Sequence, residues 1–190
     1  SRSQAQRLIA TGVAWRLGAG AWQTVRKNGE DLPLQAALQV LNQDEARFVS
    51  RGGLKLEGAL QATGLSVVGL RCLDVGQSTG GFTDCLLQHG AAHVTGLDVG
   101  EGQIHPQLRA DASVQVCEKV NARNADDLQA ALGQAQFDVL VGDVSFISLT
   151  LVLPALAAWL KPGAQVLMLV KPQFELQPQH IGKGGIVRDT

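Results

Sequence analysis

The chain reads as an α/β protein built on a doubly wound, mostly parallel sheet, and three observations predict it. From residue 67 onward, five short apolar runs alternate with helical patterns, as in a parallel sheet covered on both faces. A length of 190 residues, 45% hydrophobic and 17% charged, suits one domain or one domain with a small appendage and excludes a mostly disordered chain. A glycine-rich turn, Gly76-Gln-Ser-Thr-Gly-Gly81, follows the first apolar run.

Residues 1–11 read as a helix: Ser1 or Ser3 caps it, Leu8 and Ile9 supply its apolar side, and Gly12 stops it. Val13-Ala-Trp15 and Trp22-Gln-Thr-Val25 are short β-like runs, with a turn at Lys27-Asn28-Gly29. A brief alternation over Leu38–Val40 ends at Leu41, before the polar Asn42-Gln-Asp-Glu45, the candidate linker. Residues 51–63 form a helix with Leu56 and Leu60 four apart, closed by Gly64. The sheet then takes Leu70–Asp74, Val94–Asp98, Val114–Val116, Phe137–Val141 and Gln165–Val170. Helices between them show in Phe82, Cys85 and Leu86, spaced i, i+3, i+4, and in Leu128 and Leu132. The residues after 170 are mostly Gly, Pro and polar, so the sheet reads as truncated after strand five.

Composition narrows the function classes. A net charge of −1 advertises neither a nucleic-acid nor a membrane partner. Residues 1–60 carry 8 Lys/Arg against 5 Asp/Glu, however, and residues 61–190 carry 8 against 12, a weakly basic front on an acidic body. The longest apolar stretch, Leu149–Leu160, is interrupted by Thr150 and Pro154 and is too short to span a bilayer, and the first residues lack a signal peptide's apolar core. Cys72, Cys85 and Cys117 form no C-x-x-C pair and no even set, so they read as reduced core hydrophobes. His89, His93, His105 and His180 lack metal-ligand spacing. The expectation is a cytoplasmic protein without a metal or a membrane.

The chemistry is expected at the strand ends. Gly76, Gly80 and Gly81 let the backbone turn tightly and approach a ligand, but their spacing is neither the dinucleotide fingerprint nor a P-loop. Asp74, two residues before the first glycine, repels a phosphate and suits an amine and a sulfonium. Asp98 ends the second strand, 22 residues after Gly76, where a carboxylate can grip two ribose hydroxyls. A ribose-bearing, phosphate-free, cationic cofactor is S-adenosylmethionine; a nicotinamide dinucleotide suits this loop less well. Asp74, Gly76, Ser78, Gly80, Gly81, Phe82, Asp98 and Asn121 are the candidate cofactor contacts, Asn121 reading an adenine edge. Asp143 and Lys171 end the fourth and fifth strands, where open α/β sheets bind ligands, and a lysine there can serve as a general base.

Arg47-Phe-Val-Ser-Arg-Gly-Gly-Leu-Lys-Leu-Glu-Gly-Ala-Leu60, the Asp74–Thr83 loop, Asp143-Val-Ser-Phe-Ile-Ser148, Lys171-Pro-Gln-Phe-Glu175 and Gly182-Lys-Gly-Gly-Ile-Val-Arg-Asp189 together resemble the TlyA family, often labelled hemolysin A. The resemblance implies an S4-type RNA-binding region joined to a Rossmann-like, FtsJ-like 2′-O-methyltransferase domain. It divides the chain into a partial S4-like segment and linker, 1–46, and a methyltransferase domain, 47–190, incomplete at its C-terminus. Ser1–Ala10 looks like the S4 recognition helix. Of the FtsJ-like Lys-Asp-Lys-Glu tetrad, Lys55, Asp143 and Lys171 match. The glutamate has no counterpart before Thr190, since Glu175 belongs to the Lys-Pro-Gln-Phe-Glu motif. Ribosomal RNA or ribosomal subunits are the implied partner, with cytidine as acceptor.

On this reading Lys171 takes the ribose 2′-hydroxyl proton, Asp143 orients Lys171 and the hydroxyl, and Lys55 holds a phosphate or the developing alkoxide. Arg2, Arg7 and Arg51 are the candidate RNA contacts. Trp15 and Trp22 could stack bases, though packing of a small domain explains them better. The rival readings are an amino-group methyltransferase, which lacks a proline after Asp143 and leaves Lys171 without a purpose, a membrane-active hemolysin, and a non-catalytic RNA-binding or assembly factor that retains cofactor binding.

Overall fold

The computed structural model describes residues 2–41 and 47–188, the side chains at 2–4, 7, 11 and 178 excepted. Helix α1 (Arg2–Thr11) ends where Gly12 takes a positive φ. Three short strands follow, β1 (Val13–Arg16), β2 (Gln23–Thr24) and β3 (Ala37–Val40), in an antiparallel sheet ordered β2-β1-β3. The brief alternation before Leu41 is thus a full strand: Val13 pairs with Val40 and Arg16 with Ala37. The predicted linker at 42–45 lies outside the described residues.

Helix α2 (Gly52–Thr63) buries Leu56 and Leu60 and stops at Gly64, whose φ of 69° is the left-handed cap expected of a glycine. The sheet strands are β4 (Arg71–Val75), β5 (His93–Leu97), β6 (Val114–Cys117), β7 (Phe137–Gly142) and β8 (Leu160–Met168). Between them run α3 (Gly81–Gln88), a short α4 (Pro106–Arg109), α5 (Ala125–Leu132) and α6 (Leu149–Leu156); α7 (Pro172–Glu175) follows β8. All neighbouring strands of this sheet are parallel, in the order β6-β5-β4-β7-β8. The chain winds outward from β4 to β6, then crosses back to place β7 on the other side of β4. That reversal opens a crevice beyond the ends of β4 and β7.

Strand alternation assigns two cores. Cys72, Val94, Val139 and Val141 face α2 and α3 with Leu56, Leu60, Phe82 and Leu86. Leu73, Val75, Leu97 and Leu140 face α5 and α6 with Leu128, Leu132, Val152 and Leu156. Each fully buried leucine contributes about 1.5–3 kcal/mol relative to an exposed one. The cysteines are free, and burial pushes the Cys72 and Cys85 thiols up to about 12, as inert core residues require. Helix α6 forms despite Pro154, capped by the Ser148 hydroxyl on Thr150 N. Among the described residues no helix is long and apolar enough to cross a membrane.

Candidate active site

A cavity of about 1140 Å³ occupies the crevice at the strand reversal. Backbone geometry forms its floor. Gly76 at the end of β4 has a φ of 82°, and a Cβ there would stand 3.3 Å from the Asp143 carbonyl and from Val144 Cα. Only a glycine lets the β4 and β7 ends come this close. The N-terminus of α3 is brought against α2 in the same way: a Cβ at Gly81 would meet the Ser50 hydroxyl and lie 3.0 Å from Gly53 N.

On one side of the cavity Asp98 receives two backbone donors, Ser78 N on Oδ2 and Gly100 N on Oδ1, both at 2.7 Å. Each oxygen keeps a second lone pair, so the carboxylate is fixed in place and can still accept from a diol. Gln103 accepts from the Ser78 hydroxyl at 3.2 Å, tying the loop after β5 to the glycine loop. Val75, Leu97, Val120 and Ile147 supply apolar wall, and Asn121 lines the same side, its Oδ1 held by Arg123 N. The glycine loop carries no Lys or Arg to meet a pyrophosphate. A roomy slot with a pre-held carboxylate, apolar walls and a basic-free glycine cradle fits S-adenosylmethionine.

On the other side, Lys55 from α2, Asp143 after β7 and Lys171 after β8 come together. Lys55 Nζ is 2.9 Å from Asp143 Oδ2 and Lys171 Nζ 2.6 Å from Oδ1. Burial raises the Asp143 pKa, but the hydrogen bonds and charges of the two lysines outweigh it and hold the carboxyl below its ordinary value. Lys171 also donates to the Ser145 hydroxyl at 2.5 Å. Pro172 at the first position of α7 sets Lys171 in extended backbone, aiming its side chain back toward β7. Glu175 accepts from the Ser148 hydroxyl and from Leu149 N, clamping α7 onto the start of α6, so it is committed to this clamp.

The structure gathers Gly76, Ser78, Gly81, Phe82, Asp98, Asn121, Lys55, Asp143, Lys171 and Arg51 around this one cavity. Two expected contacts are corrected. Asp74 is fully buried beneath the loop and outside the cavity lining. Its Oδ2 accepts from Thr83 at 2.7 Å, and Thr83 in turn accepts from Gln77. Gly80 also turns away from the cavity, since its φ of 94° serves close packing under Leu108 and Ile104. The side chains of Arg2 and Arg7 lie outside the described residues. Trp22 is partly exposed, with the Arg16 guanidinium 4.7 Å over its ring. Sequence reading passed over Ser145, Gln103 and Phe146. Phe146 lines the cavity mouth at a strained φ of 65°, 89% exposed, its ring 5.2 Å from that of Phe174.

Residues 48–190 match the family of FtsJ-like methyltransferases. The 16S/23S rRNA (cytidine-2′-O)-methyltransferase TlyA of Mycobacterium tuberculosis is 45% identical over 189 residues, covering all of this chain and 68% of that protein. Hemolysin A of Brachyspira hyodysenteriae is 39% identical over 190 residues, covering all of this chain and 75% of that protein. A solved structure of a hemolysin-named protein from Streptococcus thermophilus aligns with a TM-score of 0.75 at 43% identity, covering all of this chain and 66% of that one. The chain thus spans about two thirds to three quarters of these relatives' length. With the strand order, the glycine cradle and the Lys-Asp-Lys cluster all in place, the chain belongs to the FtsJ-like methyltransferases and, among them, to the TlyA family.

Proposed function

We propose that this chain methylates a ribose 2′-hydroxyl of ribosomal RNA, with Lys171 as the base, and the observation that carries the reading is the Lys55–Asp143–Lys171 cluster at the wall of the cavity. S-adenosylmethionine, when bound, supplies the electrophilic methyl group. A ribose hydroxyl is a poor nucleophile, so the protein's task is to align it and to remove its proton. Lys171 Nζ receives that proton in its neutral form. Asp143 holds Lys171 and Lys55 at fixed separation, and its own carboxyl stays ionised at neutral pH because both lysines favour its charge. Lys55, half exposed, is left to meet a backbone phosphate or the developing alkoxide. Asp98, Asn121, Gly76, Ser78, Gly81 and Phe82 are assigned to the cofactor.

Arg51, exposed at the cavity edge one turn before Lys55, extends the basic rim toward RNA, and the exposed Phe146 ring offers a base an apolar face. Residues 1–46 are assigned to a partial S4-like RNA-binding region and 47–190 to the methyltransferase domain, a division supported by a family match that begins at residue 48. We assign the protein to the cytoplasm, a reading that a ribosomal acceptor supports.

Calorimetric titration with S-adenosylhomocysteine tests the cofactor half: binding is expected, with no binding of NAD and a loss of at least about tenfold in Asp98→Ala, the worth of one good charged hydrogen bond. Methyl transfer to unmethylated ribosomal subunits tests the catalytic half. Lys171→Ala is expected to abolish turnover while leaving S-adenosylhomocysteine affinity within about twofold. Equal loss of both would make Lys171 a structural lysine.

A further inference from the structure

We propose that Ser145 is a positioning residue that, together with Asp143, fixes the direction in which Lys171 Nζ faces the ribose hydroxyl. The inference rests on the assignment of Lys171 as base. A lysine amine turns freely about its last carbon–nitrogen bond and, once neutral, carries two N–H groups and one lone pair. To accept a proton in line it must hold that lone pair on the substrate side. One tether leaves the rotation open, whereas two close it.

Lys171 has two tethers, an ion pair with Asp143 Oδ1 at 2.6 Å and a hydrogen bond to Ser145 Oγ at 2.5 Å, and no third polar partner among the described residues. The backbone explains why both come from one loop. Asp143 and Ser145 are two residues apart on the chain just past β7, and both side chains reach Lys171 Nζ. The positive φ of Phe146 then turns the chain away. With one N–H held by Ser145 and the amine pinned against Asp143 Oδ1 by charge, the remaining tetrahedral direction of Nζ is the one left for the hydroxyl, whose proton ends there as the ammonium forms. Ser145 is also chemically apt, because a hydroxyl holds an N–H without adding charge. A second carboxylate would favour the protonated lysine, the form that cannot act as base.

Two other hydroxyls are committed elsewhere: Ser148 joins Thr150 and Glu175, and Ser78 joins Gln103. Ser145 has Lys171 as its one hydrogen-bond partner among the described side chains.

The test compares Ser145→Ala, Ser145→Thr and Lys171→Ala in methyl transfer to purified, unmethylated ribosomal subunits, with S-adenosylhomocysteine affinity and thermal midpoint measured on each. Ser145→Ala is expected to lower kcat roughly 10–100-fold, the cost of a misaligned catalytic group. KM for the subunits, cofactor affinity and thermal midpoint should hold, and Ser145→Thr, which keeps the hydroxyl, should recover most of the rate. An inactive Lys171→Ala beside a Ser145→Ala enzyme of unchanged kcat would overturn the role of Ser145 and leave the base assignment standing. So would a Ser145→Thr enzyme as slow as Ser145→Ala. An active Lys171→Ala enzyme would remove the base assignment and this inference with it.

Discussion

Asp74 lies on β4 and Asp143 just past the end of the neighbouring β7, yet their carboxyls are shifted in opposite directions. Asp143 has two lysines to answer the lost water, and its carboxyl titrates below the usual range. Asp74 has no cation beside it, only the hydroxyl and backbone of Thr83, and desolvation pushes it from 3.8 up to about 7. The consequences for stability have opposite signs. An acid that holds its proton more tightly folded than unfolded stabilises the fold most below 3.8, and that contribution is lost as pH rises to about 7. The ion-paired Asp143 contributes above 3.8, and its share is lost as pH falls through its depressed folded value. Asp74→Asn, which keeps an acceptor for Thr83, is expected to flatten the decline of stability between about pH 4 and 7, measured as urea midpoints across that range. An unchanged slope would mean that Asp74 ionises as readily in the fold as outside it.

Asp74 also shows where reading residues in a row fails. Its position before the glycine loop suggested a ligand contact, but β4 is the central strand and its inward side chains are sealed on both faces. Asp98, Asp143 and Lys171 were legible because each stands just past a strand's end, where the sheet no longer covers it. Lys55 was reached through family resemblance, since nothing in the spacing of its helix marks it. Ser145 and Gln103 are single polar residues in loops, which carry no periodicity to read.

At the scale of elements, the contact between α2 and the start of α3 carries Lys55 to the site. Gly81 lets the two backbones nearly touch, since a Cβ there would stand 3.0 Å from Gly53 N and 3.2 Å from Gly52 Cα. Gly81→Ala would press a methyl group onto Ser50 and the α2 backbone, costing about 1–3 kcal/mol by overpacking. Because the strain is relieved by moving α2, Lys55 should separate from Asp143, and methyl transfer should fall further than stability alone accounts for. Urea unfolding and kcat on the same preparation check this; a variant that loses stability but keeps its kcat would detach α2 from catalysis. The sheet strands were visible in the sequence as short apolar runs, and α2, α3 and α5 through apolar residues spaced three or four apart. Helix α6 was hidden because Pro154 interrupts an apolar run that lacks a polar face, and tertiary packing of Val152 and Leu156 overrides the proline. The early start of β8 was hidden likewise, since Lys161-Pro-Gly163 reads as a turn while the ladder begins at Leu160.

For the molecule as a whole, the strand order β6-β5-β4-β7-β8 explains how a cofactor half and a catalytic half share one cavity. Everything assigned to the cofactor, from Gly76 to Asn121, belongs to the half wound outward from β4, and Asp143 and Lys171 belong to the half that returns. The same order has a consequence for synthesis. As the chain emerges, β4 gains β5 on one edge early, but its other edge, with Cys72, Leu73 and Val75 flanking it, has no strand to pair with until Phe137–Gly142 has been made. Throughout that interval the nascent protein displays an open apolar edge, the kind of surface that recruits chaperones or other unfinished chains. The insertion of β7 therefore closes that edge and brings Asp143 to the cleft, and Lys171 joins it once β8 pairs with β7.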